Sequence, residues 1–246
     1  MTANRQAVAE EKARSRTYYQ PENFPIFFAS HRPNQGLGGY LDGPGVKRAF
    51  DIVFSALALT LGAPLYLLVA ILVKLAASGP IFYAQTRVGR YGRRFVCVKF
   101  RTMIVDADQL LENIVSQNPA LQQEFKNNFK LKQDPRITPL GRFMRMTSLD
   151  ELPQFWNVLK GDMSVVGPRP LVPDELKRYG SAIHTVLEVK PGITGLWQVS
   201  GRNDIPYDRR IQIDVSYSRY HSFSMDLWIL FKTVRVVLFP KGNGAY

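Results

Sequence analysis

Cysteine is almost missing from this 246-residue chain: Cys97 stands alone, which excludes an intrachain disulfide framework and any multi-cysteine metal site. Histidine is scarce too, and His31, His184 and His221 lie too far apart in sequence to suggest a zinc centre. A metal, if one is used, would be a hard, oxygen-seeking ion such as Mg²⁺. Acids are in short supply, with 20 Asp and Glu against 32 Lys and Arg and a net charge of +12. That excess calls for an anionic partner: nucleic acid, phospholipid headgroups or a phosphorylated substrate. There is no GxxxxGK[ST] loop. GLGG and GPG near the N-terminus lack the strand, the helix and the third glycine of a dinucleotide fingerprint, and read as turns. No repeat is present. With 46% hydrophobic and 21% charged residues, the chain has the composition of one substantial folded domain plus an accessory segment.

What the chain has in abundance is uninterrupted apolar sequence. Residues 52–73, IVFSALALTLGAPLYLLVAILV, carry no charge. As a helix they would extend about 33 Å, close to the thickness of a hydrocarbon core. Both flanks are basic: Lys47 and Arg48 precede the stretch, and Lys74 and the run Arg87, Arg90, Arg93, Arg94, Lys99, Arg101 follow it. A preference for cytoplasmic positive charge at both ends argues against a simple crossing. Pro64 lacks the N–H that would bond the carbonyl of Thr60, so a kink is expected at Gly62-Ala63-Pro64, with the Thr60 hydroxyl placed to satisfy the freed group. A helix that enters, bends and returns to the same face fits both facts. The expected organisation is a poorly structured extension over 1–45, a re-entrant membrane helix over 46–79 and a small cytosolic domain over 80–246.

Within that domain, PIFYAQTRVGRYGRRFVCVKFRTM reads as a β-hairpin turning at Arg90-Tyr91-Gly92. Residues 106–131 read as two helical pieces divided by Pro119. A helix over Leu152–Lys160 would present Leu152, Phe155, Trp156 and Leu159 on one face and stop at Gly161. MSVV is strand-like, a helix follows Pro173, and Pro191-Gly192 has the chemistry of a tight turn. The apolar segment MDLWILFKTVRVVLF suits either packing against the core or an in-plane membrane helix. The expected fold class is α+β: a monotopic membrane protein with a proline-broken re-entrant helix and a helix-rich catalytic domain.

The chemistry concentrates between Asp134 and Pro170. Asp150 and Glu151 are adjacent acids at a predicted helix start, either capping that helix themselves or with Ser148 and Glu151 forming an S-x-x-E capping box. In both arrangements they meet the positive end of the helix dipole, where a carboxylate stays ionised. Plain helix capping accounts for such acids. Arg142 and Arg145 just before them, and Arg169 held between Pro168 and Pro170 just after, add an anion clamp that capping does not need. Two acids among arginines suit phosphoryl transfer, one attacking phosphorus while the other holds Mg²⁺.

These blocks carry a resemblance: KRAFD (47–51), KFRTM (99–103), TSLDELPQFWNVLKGDMSVVGPRP (147–170), PGITGLWQVSGRN (191–203), and the spaced Asp214, Tyr217 and Asp226. Over about residues 46–240 the chain resembles the monotopic polyprenyl-phosphate phosphoglycosyl transferases, bacterial enzymes that start exopolysaccharide, O-antigen and glycoprotein glycan assembly. The resemblance implies a re-entrant helix broken at Pro64, although Ala63 stands where the family often has Ser. It implies Asp150 as the nucleophile toward the β-phosphate of a UDP-sugar, with UMP leaving, and polyprenyl phosphate as acceptor of the sugar phosphate. It implies Glu151 as the Mg²⁺ ligand, Lys99, Arg145 and Arg169 near the phosphates, and Arg202, Asp214 and Asp226 as substrate-binding residues that organise the site. Localisation at the cytosolic face of the bacterial inner membrane, contact with its lipid, and supply of downstream glycosyltransferases follow from the same resemblance, which also accommodates a homodimer. Larger members carry four further N-terminal membrane helices, so the chain is similar to the short form. The ending GNGAY is similar to members that transfer galactose-1-phosphate, with glucose-1-phosphate the neighbouring choice. The competing class is a non-catalytic anchor at an anionic lipid surface, for which the acid pair would be dispensable. With no zinc-finger or RNA-binding aromatic motif, nucleic acid is set aside as a partner.

Overall fold

The computed structural model describes residues 42–128, 131, 133–201 and 205–238. All but the last four residues of the expected 1–45 extension, and Arg202, lie outside the described residues.

The apolar stretch forms two helices, α1 (Pro44–Leu61) and α2 (Ala63–Ala76), joined at Gly62 with a 62° bend. Among the described residues no single helix is long and apolar enough to cross a membrane; the bent pair together has the length and composition. The break falls where Pro64 was expected to put it, since a proline tolerated in the first turn of α2 cannot sit inside one continuous helix. Thr60 behaves differently from expectation: its hydroxyl donates back to the Ala56 carbonyl at 2.8 Å. A threonine Oγ lies over the preceding turn, within reach of the i−4 carbonyl rather than of its own forward-pointing one.

The pair exposes an apolar face that includes Val53, Leu57, Leu61, Leu67, Leu68 and Leu75. Its other face is tied to the rest of the protein. Val69 and Val73 of α2 pack with Phe100 and Met144, and the Tyr66 hydroxyl donates to the Leu152 carbonyl at 2.8 Å. Besides ring contacts of Phe50 with Phe223 and Phe54 with Phe155, three polar residues of α1 attach it. Arg48 donates to the Val158 and Leu159 carbonyls at 2.6 and 2.8 Å. Asp51 accepts from the Val165 N–H (2.9 Å) and the Ser164 hydroxyl (3.0 Å). Lys47 reaches the Val166 carbonyl (3.1 Å) and Asp226 (2.5 Å).

The hairpin forms as its alternation predicts: β1 (Phe82–Val88) pairs antiparallel with β2 (Arg94–Phe100), and Arg90–Gly92 makes the connecting 3₁₀ turn. Tyr91 and Gly92 take positive φ there, 57° and 76°. Helices α3 (Ala107–Gln117) and α4 (Pro119–Asn128) are divided at Pro119, as expected. Helix α5 (Pro139–Thr147) starts with Thr138 accepting the Gly141 N–H and ends at Ser148, which adopts φ 59°. A 3₁₀ turn, Leu149–Glu151, then leads to α6 (Gln154–Lys160), stopped by Gly161 at φ 91°.

The buried face of α6 is only partly the predicted one, Leu152 and Phe155 packing at the edges of core clusters. Gln154, Asn157 and Val158 point inward, while Trp156 is exposed. Asn157 accepts from Val98 N–H and donates to the Val96 carbonyl, filling hydrogen bonds along β2 that an apolar side chain would leave unmet. Strand β3 (Ser164–Val166) runs parallel to β4 (Gly192–Thr194). Pro191-Gly192 is therefore the entry to a strand, not a tight turn; a Cβ on Gly192 would lie 2.1 Å from the Gly167 nitrogen, so close backbone approach demands glycine.

Short helices α7 (Leu176–Tyr179), α8 (Ala182–Val186) and α9 (Leu196–Val199) precede the long α10 (Tyr207–Tyr220) and α11 (Phe223–Leu238). Val165, Val166, Trp197, Ile213, Tyr217, Met225 and Ile229 form the main core. Helix α11 buries Met225, Asp226 and Ile229 and leaves Leu227, Phe231, Val234 and Leu238 exposed, so one face packs while the opposite one stays apolar and open. The result is a helix-rich α+β fold with two small sheets.

Candidate active site

A cavity of about 930 Å³ opens between the hairpin, the α5–α6 connection and the loop after β3. Lys99, Arg145, Asp150, Glu151 and Arg169, all singled out by sequence, line it together. Arg142 is exposed one turn away.

The local structure explains how the acids arrive there. Ser148 in the left-handed region ends α5 abruptly and reverses the chain, so the 3₁₀ turn folds back beside the helix it follows. Among the described residues neither that turn nor α6 has a side-chain cap, so the expected capping box does not form. Asp150 and Glu151 are held by tertiary contacts instead. Asp150 is 8% exposed. Burial pushes its carboxyl pKa up to about 6; Lys99 and Arg145 pull against that shift, and Glu151 adds to it. Glu151 is gripped by Lys99, Nζ to Oε1 2.5 Å. Arg145 donates from Nε to the Thr102 hydroxyl at 3.0 Å and stands beside Asp150, its own pKa lowered by burial.

Arg169 rides on a clamped backbone. Gly167 N–H donates to Thr194 O at 2.9 Å, and Gly192 N–H donates to Pro168 O at 2.8 Å. Arg87 donates to Pro170 O at 3.0 Å. Sequence reading placed Arg87 only within a basic run, yet it lines the cavity and is 8% exposed. The signal was the period of two: Tyr83 opposes Lys99 and Gln85 opposes Cys97, so Arg87 shares a hairpin face with Lys99. Burial, followed by the nearby Arg169 charge, lowers the Arg87 pKa to about 10. At the rim, Arg136 is neutralised by a two-pronged pair with Asp134, 2.8 and 2.7 Å.

Asp214 and Asp226, expected as substrate-binding residues that organise the site, are not among the residues lining the cavity. Asp214 is fully enclosed, accepts from the Tyr179 hydroxyl at 2.8 Å, and has a pKa raised to about 6 by burial. Asp226 joins Lys47 to the Tyr217 hydroxyl (2.7 Å), bracing α1 against α10 and α11. Their depth in the core makes them scaffold for the elements around the site. Arg202 lies outside the described residues.

No cluster of three metal-capable side chains exists among the described residues. Two adjacent carboxylates in a basic cavity still fit Mg²⁺, which keeps several waters and takes its remaining ligands from substrate phosphates.

A buried carboxylate beside a second acid, ringed by guanidinium and ammonium groups, is what an enzyme handling phosphate esters requires. Residues 43–240 match the family model described as bacterial sugar transferase, and the chain belongs to that family. It is 50% identical over 201 residues to an undecaprenyl-phosphate galactose phosphotransferase of Salmonella typhimurium, covering 82% of this chain and 42% of that protein. It is 47% identical over 197 residues to the exopolysaccharide production protein ExoY of Sinorhizobium fredii, covering 80% and 87%. An undecaprenyl-phosphate glucose phosphotransferase of Komagataeibacter xylinus is 38% identical over 209 residues, covering 79% and 36%. The chain thus spans about two fifths of the length of the Salmonella relative but most of the Sinorhizobium one.

Proposed function

We propose that the chain transfers a sugar-1-phosphate from a UDP-sugar to polyprenyl phosphate, an opening step of exopolysaccharide assembly. The observation that carries this reading is the buried Asp150 lying in one cavity with Glu151, Lys99, Arg145 and Arg169. Ionised Asp150 attacks the β-phosphorus: a carboxylate O–P bond forms, the bond to the bridging oxygen breaks, and its electron pair leaves on that oxygen with UMP. The phosphate of the polyprenyl acceptor then attacks the same phosphorus, giving polyprenyl diphosphate-sugar and returning the Asp150 carboxylate. Lys99 and Arg145 keep Asp150 ionised against its burial and draw the phosphate charge toward it. Mg²⁺ held by Glu151 would neutralise phosphate charge. The names of the Salmonella and Komagataeibacter relatives support the acceptor and put galactose and glucose first among sugars.

The same reading puts the bent α1–α2 pair in the cytosolic leaflet of the inner membrane as a re-entrant helix, with the apolar face of α11 lying against the lipid surface. Supporting it are the 62° bend and the exposed leucines of both helices. The test is UMP release from a panel of UDP-sugars, with Mg²⁺, polyprenyl phosphate and lipid, by wild type and Asp150→Asn. Release with one sugar that the variant loses supports the reading. Equal turnover by the variant refutes the nucleophile, and silence of folded wild-type protein across the panel returns the anchor reading.

A further inference from the structure

Six cations line the cavity; Arg136 is paired with Asp134 and Arg101 donates to the Ala77 carbonyl, and the other four fall into two groups. Lys99 and Arg145 are the charges that act on Asp150. Arg87 sits on the same hairpin face as Lys99 but four residues further along the strand from Lys99's partner Tyr83, about 13 Å at the usual strand rise. There it binds the carbonyl of Pro170, next in the chain to Arg169. Its guanidinium has only neutral partners, that carbonyl and Gln85 Oε1 (2.5 Å), and Nε has none among the described residues. Among the described residues Arg87 makes no ion pair: it is nine-tenths buried with a second guanidinium as its neighbour, and the Glu175 and Glu151 carboxylates act on it only from beyond ion-pair distance. A buried cation facing a like charge is unfavourable unless an anion completes the arrangement.

Resting on the function proposed above, we propose that Arg87 is a substrate-binding residue: with Arg169 it receives the phosphate that leaves on the nucleotide, while Lys99 and Arg145 attend the phosphorus attacked by Asp150. The division follows the chemistry of the first step. As the bond from phosphorus to the bridging oxygen breaks, the electron pair stays with the departing phosphate, whose charge grows. Two guanidiniums with forked donors, one fixed by Pro168 and Pro170 and the other by strand β1, are placed to take up that charge without reorganising. The second step, attack by the acceptor phosphate on the aspartyl intermediate, involves no departing nucleotide and makes no use of Arg87.

The experiment uses the full chain in lipid nanodiscs with UMP as the probe. Calorimetry should show Arg87→Gln binding UMP at least tenfold more weakly than wild type. Exchange of labelled UMP into the UDP-sugar, which reports the first step alone, should slow by a similar or larger factor. Transfer from the pre-formed intermediate to polyprenyl phosphate should stay within twofold of wild type. Arg87→Lys, which keeps the charge and loses the fork, should bind UMP at least threefold more weakly, and it decides the matter if Arg87→Gln fails to fold. Unchanged UMP affinity in both folded variants overturns the assignment and leaves the proposed function standing. Equal slowing of both steps with a lowered Tm overturns it too, making Arg87 a brace for Pro170. Wild-type protein that neither binds UMP nor exchanges it sinks the underlying reaction itself.

Discussion

Asp51→Ala should strip the apolar helix pair of its best-defined anchor to the catalytic part. The Asp51 carboxylate is 2% exposed, and its Oδ1 accepts both the Val165 N–H and the Ser164 hydroxyl. Alanine leaves two buried donors unmet. An unsatisfied buried donor costs about 1–3 kcal/mol, and the serine hydroxyl can rotate toward another acceptor, so the loss should be about 3 kcal/mol. For a domain of this size that lowers Tm by about 6–12 °C. Asp51→Asn retains an oxygen at the same place and should lose no more than about 1 kcal/mol. Strand β3, which Asp51 holds, runs directly into Gly167-Pro168-Arg169, so the alanine variant should also bind UMP more weakly than its stability loss alone would suggest. Thermal unfolding in nanodiscs, with amide exchange read at Val165, measures both effects. An alanine variant melting within about 2 °C of wild type, or an asparagine variant as damaged as the alanine one, refutes the acceptor role.

Turnover should rise with pH through the Asp150 pKa of about 6, because the proposed attack needs the ionised carboxylate; a pH-independent rate between 5 and 7 would count against it. The linkage has the opposite sign: the folded state holds this proton more tightly than the unfolded chain, so the Asp150 contribution to stability is lost as pH rises from about 4 to about 6. Lys99→Met removes the charge that most opposes the shift and should move the acid limb of the rate profile to higher pH, an unmoved limb being the contrary result. Gly141→Ala would put a Cβ 2.0 Å from the Thr102 carbonyl oxygen, backbone that cannot swing away, and should cost at least about 2 kcal/mol in a urea melt. Pro64→Leu should straighten the α1–α2 pair, so that cysteines introduced on the two flanks label from opposite sides of a vesicle; labelling from one side only would show that Gly62 suffices for the bend.

Much of this architecture was legible because it rests on local rules. Proline positions fixed the break at Gly62 and the division at Pro119, and strand alternation gave the hairpin and its turn. The acid pair and three of its basic neighbours were legible as a group because they cluster in sequence or carry a family motif. Arg87 was missed because a run of basic residues hides which of them face inward; only the register against Lys99 separates it from Arg90 and Arg94, which are exposed. The face of α6 was partly misread because a helix packed along β2 answers to that strand's backbone, and Asn157 serves it better than Trp156. Asp214 and Asp226 lie outside the cavity lining. Buried acids with hydroxyl and lysine partners carry the same letters as site residues, and only their depth tells them apart.

The largest consequence lies in how Asp150 keeps its charge. Placed at a helix N-terminus, as the sequence suggests, its carboxylate would be stabilised by backbone N–H groups, and its pKa would fall. The structure puts it instead on a 3₁₀ turn ahead of a seven-residue helix, buried, with its pKa raised. Its ionisation therefore depends mainly on Lys99 and Arg145, a backbone N–H adding a smaller share, and Lys99 is at the same time the partner of Glu151. A backbone dipole is fixed, whereas side-chain cations can be shared among whatever anions the cavity holds. The lysine has a flexible stem and the arginine a rigid fork, so the one suits exchange between Glu151 and an incoming phosphate while the other keeps station beside Asp150. Under the proposed reaction Arg145 would hold Asp150 ionised while Lys99 turns to the phosphate, and a desolvated carboxylate that keeps its charge is the better attacking group.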